Sequence, residues 1–321
     1  VLKELKFVQG AVARKDLLPA LSHFAIEGGT VRGYNGIIAL SAPIALDIAC
    51  KPKAEPMVRA IGNCDDTVSL SLTAGGRLSI KSGKFKAFID CVEGETPHVM
   101  PTGQHVPING EHLFAAVKVL SEFIGEDAAR PWSNGILLRG VSAYATNNIT
   151  LVEYWIGSEF PLTVCLPRMA VREMLRINEA PEGMQADEHS VTFFYSGNRW
   201  LRTQLLSTEW PDLGSVLDKG DPFAPTVEEV DTSLFEGLAV VKPFADKLGR
   251  AILKEGVLRT HVAEGEGSLY DLTTLRANGV FNVDMLQLLQ GVAQKWDLST
   301  YPRPCFFYGD RLRGAIIGMR E

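Results

Sequence analysis

Val191-Thr192-Phe193-Phe194-Tyr195, leading to Gly197-Asn198-Arg199-Trp200, is an apolar run, a Gly-x-Arg turn and a second apolar run. The same order occurs twice more. Val68-Ser69-Leu70-Ser71-Leu72-Thr73 leads to Gly75-Gly76-Arg77-Leu78, and Cys305-Phe306-Phe307-Tyr308 leads to Gly309-Asp310-Arg311-Leu312. Gly, Asn and Asp tolerate the positive φ that a tight hairpin needs, so each stretch reads as two antiparallel strands and a short turn. One Gly-x-Arg tripeptide arises by chance. Three of them about 110–120 residues apart, in the same setting each time, mark an internal repeat.

An amphipathic helix precedes each hairpin. The first runs from about Glu55 through Met57, Val58 and Ile61; the second opens at Pro167 and includes Val171, Met174 and Leu175; the third includes Val283, Leu286, Leu289 and Val292. Pro56 and Pro167 suit a first helical turn, and Asn282 is a natural N-cap. Each copy also has an upstream half. Leu2 to Val12, Gly110 to Ile124 and Ser233 to Val241 have helical apolar spacing. Strand-like runs follow at Val31 to Ala49, Gly135 to Ile156 and Val257 to Leu275. Joints rich in Pro and Gly lie near Pro97–Pro107 and Asp218–Pro225. These signals predict three similar α+β domains, at 1–105, 106–220 and 221–321, each with two helices laid on antiparallel sheet.

The 321 residues are 46% hydrophobic, enough for several cores. No apolar run reaches the length that spans a bilayer, and the opening Val1-Leu2-Lys3-Glu4-Leu5-Lys6 reads as an amphipathic helix, not a signal peptide, so a cytoplasmic protein is expected. The five cysteines form no CxxC pair and read as reduced core thiols. The six histidines show no HExxH spacing, and the nucleophile-elbow, phosphate-loop and dinucleotide fingerprints are missing. No catalytic residue, metal site or cofactor is therefore expected. Close acidic pairs at Asp65-Asp66, Glu93/Glu95 and Glu264/Glu266 sit in turn-like stretches and read as solvated loop carboxylates.

The net charge is −6, which argues against simple wrapping of nucleic acid, but a basic surface confined to one side is compatible with it. Arg168, Arg172 and Arg176 recur at i, i+4 and i+8, on one helix face. Lys3, Lys6, Arg14 and Lys15 in the first copy, Lys118 in the second, and Lys242, Lys247 and Arg250 in the third also lie on or beside helices. Basic helices in all three copies of an acidic chain point to sequence-independent, salt-sensitive contact with phosphates.

In this setting Asn134-Gly135-Ile136-Leu137-Leu138, Tyr144-Ala145-Thr146-Asn147, Val164-Cys165-Leu166-Pro167-Arg168 and Glu209-Trp210-Pro211-Asp212 follow one another in the second copy. Phe281-Asn282-Val283 and Ile317-Gly318-Met319-Arg320 close the third. In order and spacing, the set resembles the bacterial sliding clamp, the beta subunit of DNA polymerase III, over nearly the whole chain. The resemblance implies three domains per chain and a homodimeric ring, helices lining a central hole and sheets outside. Duplex DNA would pass through the hole, and no cofactor is implied. By position, the duplex-facing set would be Lys15, Arg130, Trp132, Arg168, Arg172 and Arg176. Polymerase and clamp loader would dock short peptides in an apolar pocket of Thr146, Leu151, Pro211, Val216, Ile317 and Met319, with Arg320 at its rim.

The chain departs from that family at several points. Asn147-Asn148-Ile149-Thr150 stands where the family has an acidic-glycine-histidine-arginine run, Gly318 replaces a proline, and Glu321 an aliphatic residue. The strand before the opening helix is missing, and the third domain is shortened around Leu275–Val280. Two other readings follow from the residues. One is a clamp-like decoy that binds partners without encircling DNA. The other is a hydrolase using the loop carboxylates Glu264 and Glu266.

Overall fold

The computed structural model describes residues 1–13, 18–65, 67–260, 266–272 and 275–320. Its elements run through one order three times. The first run is α1 (Leu2–Val8), β1 (Ala25–Glu27), β2 (Thr30–Tyr34), β3 (Ile38–Pro43), α2 (Ala54–Gly62), β4 (Ser69–Leu72), β5 (Leu78–Ser82) and β6 (Phe85–Ile89). The second is β7 (Gln104–Val106), α3 (Gly110–Leu120), β8 (Gly135–Thr146), β9 (Thr150–Pro167), α4 (Arg168–Ile177), β10 (Gly183–Ala186), β11 (Ser190–Tyr195), β12 (Arg199–Gln204) and α5 (Gly214–Leu217). The third is β13 (Glu228–Glu229), α6 (Ser233–Val241), β14 (Arg250–Lys254), β15 (Val257–Thr260), β16 (Leu269–Asp271), β17 (Gly279–Asn282), α7 (Val283–Gln287), β18 (Lys295–Asp297), β19 (Pro304–Gly309) and β20 (Leu312–Ile317).

The helices α2, α4 and α7 are each followed by a three-strand meander: β4-β5-β6, β10-β11-β12 and β18-β19-β20. This corrects the alignment of the first repeat. The Gly75-Gly76-Arg77 turn joins β4 to β5, whereas the counterpart of the other two Gly-x-Arg turns joins β5 to β6 at Gly83, where φ is +53°. Two glycine turns within ten residues gave the sequence two candidate hairpins, and only strand pairing separates them.

The contacts divide the chain into two compact units. The first comprises 1–114 with 158–207, the second 115–157 with 208–321. In the first unit a seven-stranded sheet runs β1-β2-β3-β12-β11-β10-β7, beside the three-stranded sheet β4-β5-β6. The join between repeats is the antiparallel pair β12–β3, with Trp200 opposite Ser41 and Thr203 opposite Ile38. Helix α1 lays Leu5, Phe7 and Val8 on this sheet, and Phe7 meets Tyr195 edge-on with 6.2 Å between ring centroids.

In the second unit a six-stranded sheet runs β13-β18-β19-β20-β9-β8, beside the four-stranded sheet β16-β15-β14-β17. Here β20 lies antiparallel along β9, with Ala315 opposite Leu151 and Arg313 opposite Glu153. Alternation along β19 and β20 decides which side chains face the core. Phe307 is fully buried opposite Gly314, where a Cβ would stand 2.1 Å from its ring, so glycine is required for the two strands to close. Asn282 caps α7 as expected, accepting the amides of Asp284 and Met285.

Candidate partner pocket and basic helix face

The apolar pocket lies wholly in the second unit. Its walls are supplied by two strands and a short helix. Along β9 and β20, Leu151, Ala315 and Ile317 point to the same side of the sheet. From across the loop, α5 brings Leu213 and Val216 over them. Beneath lies a core cluster of Leu151, Leu217, Phe306 and Ala315. The cavity holds about 220 Å³. Trp132 closes one side and meets Trp210 edge-on at 5.6 Å. Arg130, Pro304 and the loop Asn148-Ile149-Thr150 complete the lining with Thr146.

The loop at 147–150 owes its shape to one amide. Asn147 Oδ1 accepts the backbone N–H groups of Ile149 and Thr150 and the Thr150 hydroxyl, which lets Asn148 hold φ +71°. Thr146 Oγ1 donates to the Thr150 carbonyl at 2.6 Å and accepts from the Asn148 amide. An ion-pair chain holds α5 over the sheet: Tyr144 donates to Glu153 at 2.8 Å, Arg313 to Glu153 at 2.6 Å and to Asp218 at 2.9 Å. Burial, and next the Glu153 carboxylate, push the Tyr144 pKa up.

Of the seven residues expected to form the pocket, Thr146, Leu151, Val216 and Ile317 line the cavity. Pro211 and Arg320 are exposed and are not among its lining residues. Met319 departs for a clear reason. Strand β20 ends at Ile317, the Met319 amide then donates to the Val280 carbonyl at 2.7 Å, and Tyr301 Oη donates to the Met319 carbonyl at 2.6 Å. A period of two that fixes Ala315 and Ile317 does not continue past the strand. Arg130 and Trp132, grouped above with the duplex-facing residues, line the pocket instead, because the turn of residues 127–134 folds back on Asp127 and Asn134. Ala315 and Leu213 were legible as partners of Ile317 and Val216 by spacing; Pro304 required the β19–β20 register, which sets it opposite Ile317.

The basic face lies in the first unit. Helix α4 follows the extended Pro167 and ends at Asn178, which adopts the left-handed conformation with φ +55°. It buries Ala170, Val171, Glu173 and Met174 and turns Arg172 and Arg176 outward. Burial and the charge of Arg172 both lower the Arg168 pKa, as two guanidinium groups held one turn apart require. Arg176 is placed differently. It pairs with buried Glu173 and donates to the carbonyls of Phe7 at 2.6 Å and Lys6 at 3.2 Å, so it caps the C-terminal end of α1. Glu173 lies so close to the chain that a Cβ on Gly10 would stand 1.9 Å from its Oε1.

Lys15 lies outside the described residues, as does Arg14. In the third repeat Lys242 pairs with Asp284 at 2.7 Å and Arg250 with Asp246 at 2.7 Å, which neutralises part of the basic set read there. Lys3, Lys6, Lys118 and Lys247 are exposed. Glu93, Glu95 and Glu266 are exposed loop carboxylates, and Glu264 lies outside the described residues. Cys50, Cys165 and Cys305 are buried, and burial raises the Cys50 thiol to about 12 and the Cys305 thiol to about 11, which keeps both protonated. No described helix is long and apolar enough to cross a membrane.

The whole chain superposes on the DNA polymerase III subunit beta sliding clamp of Pseudomonas aeruginosa bound to griselimycin, with a TM-score of 0.85, 19% identity, and 100% of this chain and 97% of that one covered. The chain has the bacterial sliding-clamp fold. It matches the beta sliding clamp of Caulobacter crescentus, with polyethylene glycol bound at a putative beta-motif tethering region, equally well: TM-score 0.85, 17% identity, and the same coverage. The clamp from Bartonella birtlesii bound to griselimycin gives 0.85 at 17% identity. No family model matches the sequence, and no curated protein matches it. The clamp fold is thus shared at 17–19% identity.

Proposed function

We propose that this chain is a DNA polymerase processivity factor: three clamp domains, at about 1–105, 106–220 and 221–321, assembled with a second copy into a cytoplasmic ring around duplex DNA. It acts as a scaffold, not an enzyme. The observation that carries this reading is a pair of sheet edges that no described strand pairs with. Repeats join where the last meander strand pairs with a strand of the preceding repeat, β12 along β3 and β20 along β9. The corresponding last strand of the first repeat is β6, which ends its sheet, as β16 ends its own in the third repeat. A third join of the same kind, made between two chains, uses both edges and removes the hazard of leaving them open.

Charge favours that join. From Arg77 to Ile89 the chain carries Arg77, Lys81, Lys84 and Lys86 and no acidic residue; from Glu264 to Asp271 it carries Glu264, Glu266 and Asp271 and no basic one. Phe88 on β6 and Leu269 on β16 are exposed at 46% and 72%, apolar surface that such a join would cover. Arg168 and Arg172 on α4 are the duplex-facing cations, and the cavity of the second unit takes short peptide segments of polymerase and loader. Light scattering over a dilution series tests the ring. Twice the chain mass is expected, reverting to the chain mass when Lys84 and Lys86 are both changed to Glu. A monomer at every concentration refutes the ring and leaves the decoy reading, in which peptides still bind.

A further inference from the structure

Resting on the partner-pocket reading above, we infer that Arg130 makes the pocket read a carboxylate beside an apolar anchor. The occupant is then an extended peptide segment carrying one large apolar side chain with an aspartate or glutamate next to it. Among the described lining residues Arg130 is the single charged one. The hydroxyls of the wall are already engaged within the loop at 146–150. The Thr146 hydroxyl bonds the Thr150 carbonyl and the Asn148 amide, and the Thr150 hydroxyl bonds Asn147. The loop therefore offers the cavity the side chain of Ile149, which is 37% exposed, and the neutral carboxamide of Asn148, and no charge.

Arg130 is held loosely by comparison. Its side chain is 54% exposed, and its Nε stands 3.8 Å from the Asp127 carboxylate, beyond hydrogen-bonding distance. Asp127 directs its Oδ1 to the Ala129 amide at 2.8 Å, so it serves the turn first. A guanidinium has five donors in a fork that fits a carboxylate, and the Asp127 contact leaves most of them available. At the rim, beside Trp132 and the aliphatic wall, a peptide carboxylate would accept a charge-assisted hydrogen bond from Arg130 while the apolar anchor fills the cavity. An apolar segment without the carboxylate would fill the cavity but forgo that bond.

The test uses two fluorescein-labelled octapeptides of alanine with one phenylalanine, identical except that the residue after the phenylalanine is aspartate in one and asparagine in the other. Each is titrated against the wild type and Arg130→Gln by fluorescence anisotropy. The wild type is expected to prefer the aspartate peptide about tenfold, and R130Q to bind both alike at the asparagine level. Equal binding by the wild type, or a preference that survives in R130Q, overturns the role of Arg130 and leaves the pocket intact. If neither peptide binds the wild type, while leucine-anchored versions of both also fail, the partner-pocket reading falls and takes this inference with it.

Discussion

Arg172 and Arg176 stand one turn apart on the same helix, and the structure gives them different work. Changing each to glutamine separates those roles. Arg172 is outward-facing on α4, and on the proposed reading its loss removes one phosphate contact per chain, two per ring. Each such contact contributes about 0.9 to the slope of log affinity against log salt. Between 50 and 200 mM salt, R172Q should therefore lose affinity for a duplex about 12-fold less steeply than the wild type, from two contacts at about 0.9 each. Its urea midpoint should move less than that of R176Q. Arg176 bonds two carbonyls of α1 and neutralises Glu173, which is 6% exposed. Stranding a fully buried partner costs about 3–5 kcal/mol. Arg176 is itself 42% exposed, so solvent screening brings the expected cost of R176Q to about 1–3 kcal/mol, with an unchanged salt slope.

The same change carries a pH signature. Burial raises the Glu173 pKa, and Arg176 pulls it back down. A carboxylate with a raised folded pKa holds its proton more tightly folded than unfolded, so stability falls as pH climbs from the ordinary carboxylate range through the folded value. Without Arg176 the folded value rises further. R176Q is then more destabilised at pH 7 than at pH 5, and adding Glu173→Gln relieves the difference. Anisotropy against salt and urea melts at the two pH values are the assays. If R176Q flattens the salt slope as much as R172Q and leaves the melt untouched, Arg176 is a phosphate contact and the capping role is refuted.

Three further outcomes follow from the geometry. Gly10→Ala drives a Cβ into the Glu173 carboxylate and should destabilise the chain by about 1–3 kcal/mol in urea, whereas G10A combined with Glu173→Ala recovers most of that loss; no recovery would show that Gly10 is needed for another reason. Ile317→Ala should weaken peptide binding several-fold while Met319→Ala spares it, since Ile317 lines the cavity and Met319 is bonded to Val280; the reverse order in anisotropy would move the pocket. Asp187 is opposed by burial, but the Thr102 hydroxyl, the amides of His189 and Ser190 and the Ser190 hydroxyl hold its pKa down at about 2. That stabilisation is present above the ordinary aspartate value and is lost as pH falls through about 2. Asp187→Asn should therefore cost about 1–2 kcal/mol at pH 6 and progressively less between pH 4 and 2, and a cost independent of pH would count against the hydrogen-bonded carboxylate.

Local chemistry was legible from the residues alone. The spacing of Val171, Met174 and Leu175, the Asn282 cap and the turn at Gly197-Asn198 depend on interactions within a few residues, and each is where the sequence placed it. The third hairpin instead turns one residue later, at Asp310-Arg311, with φ +56° at Arg311. Repetition of that local order gave three similar α+β units, and the resemblance of the quoted fragments, in order and spacing, carried the reading on to the clamp fold. Four pocket residues, Thr146, Leu151, Val216 and Ile317, were placed by position through the resemblance, and they line the cavity from β8, β9, α5 and β20.

What tertiary structure alone decided are the places where distant segments meet. The sequence offered two turns for the first hairpin, and the pairing of β5 with β6 selected the one at Gly83. It aligned Arg176 with Arg168 and Arg172 by period, but could not see the carbonyls of Lys6 and Phe7, some 170 residues earlier, that claim its guanidinium. It extended the Ile317 face to Met319, and the Val280 carbonyl ended that strand. The resemblance put Arg130 and Trp132 with the duplex-facing residues, and the fold of their turn sets them in the lining of the pocket. Helical and strand periods report which way a side chain points from its own backbone. They are silent on what stands opposite, and hydrogen bonds between distant chain segments settle that only when the whole chain has folded.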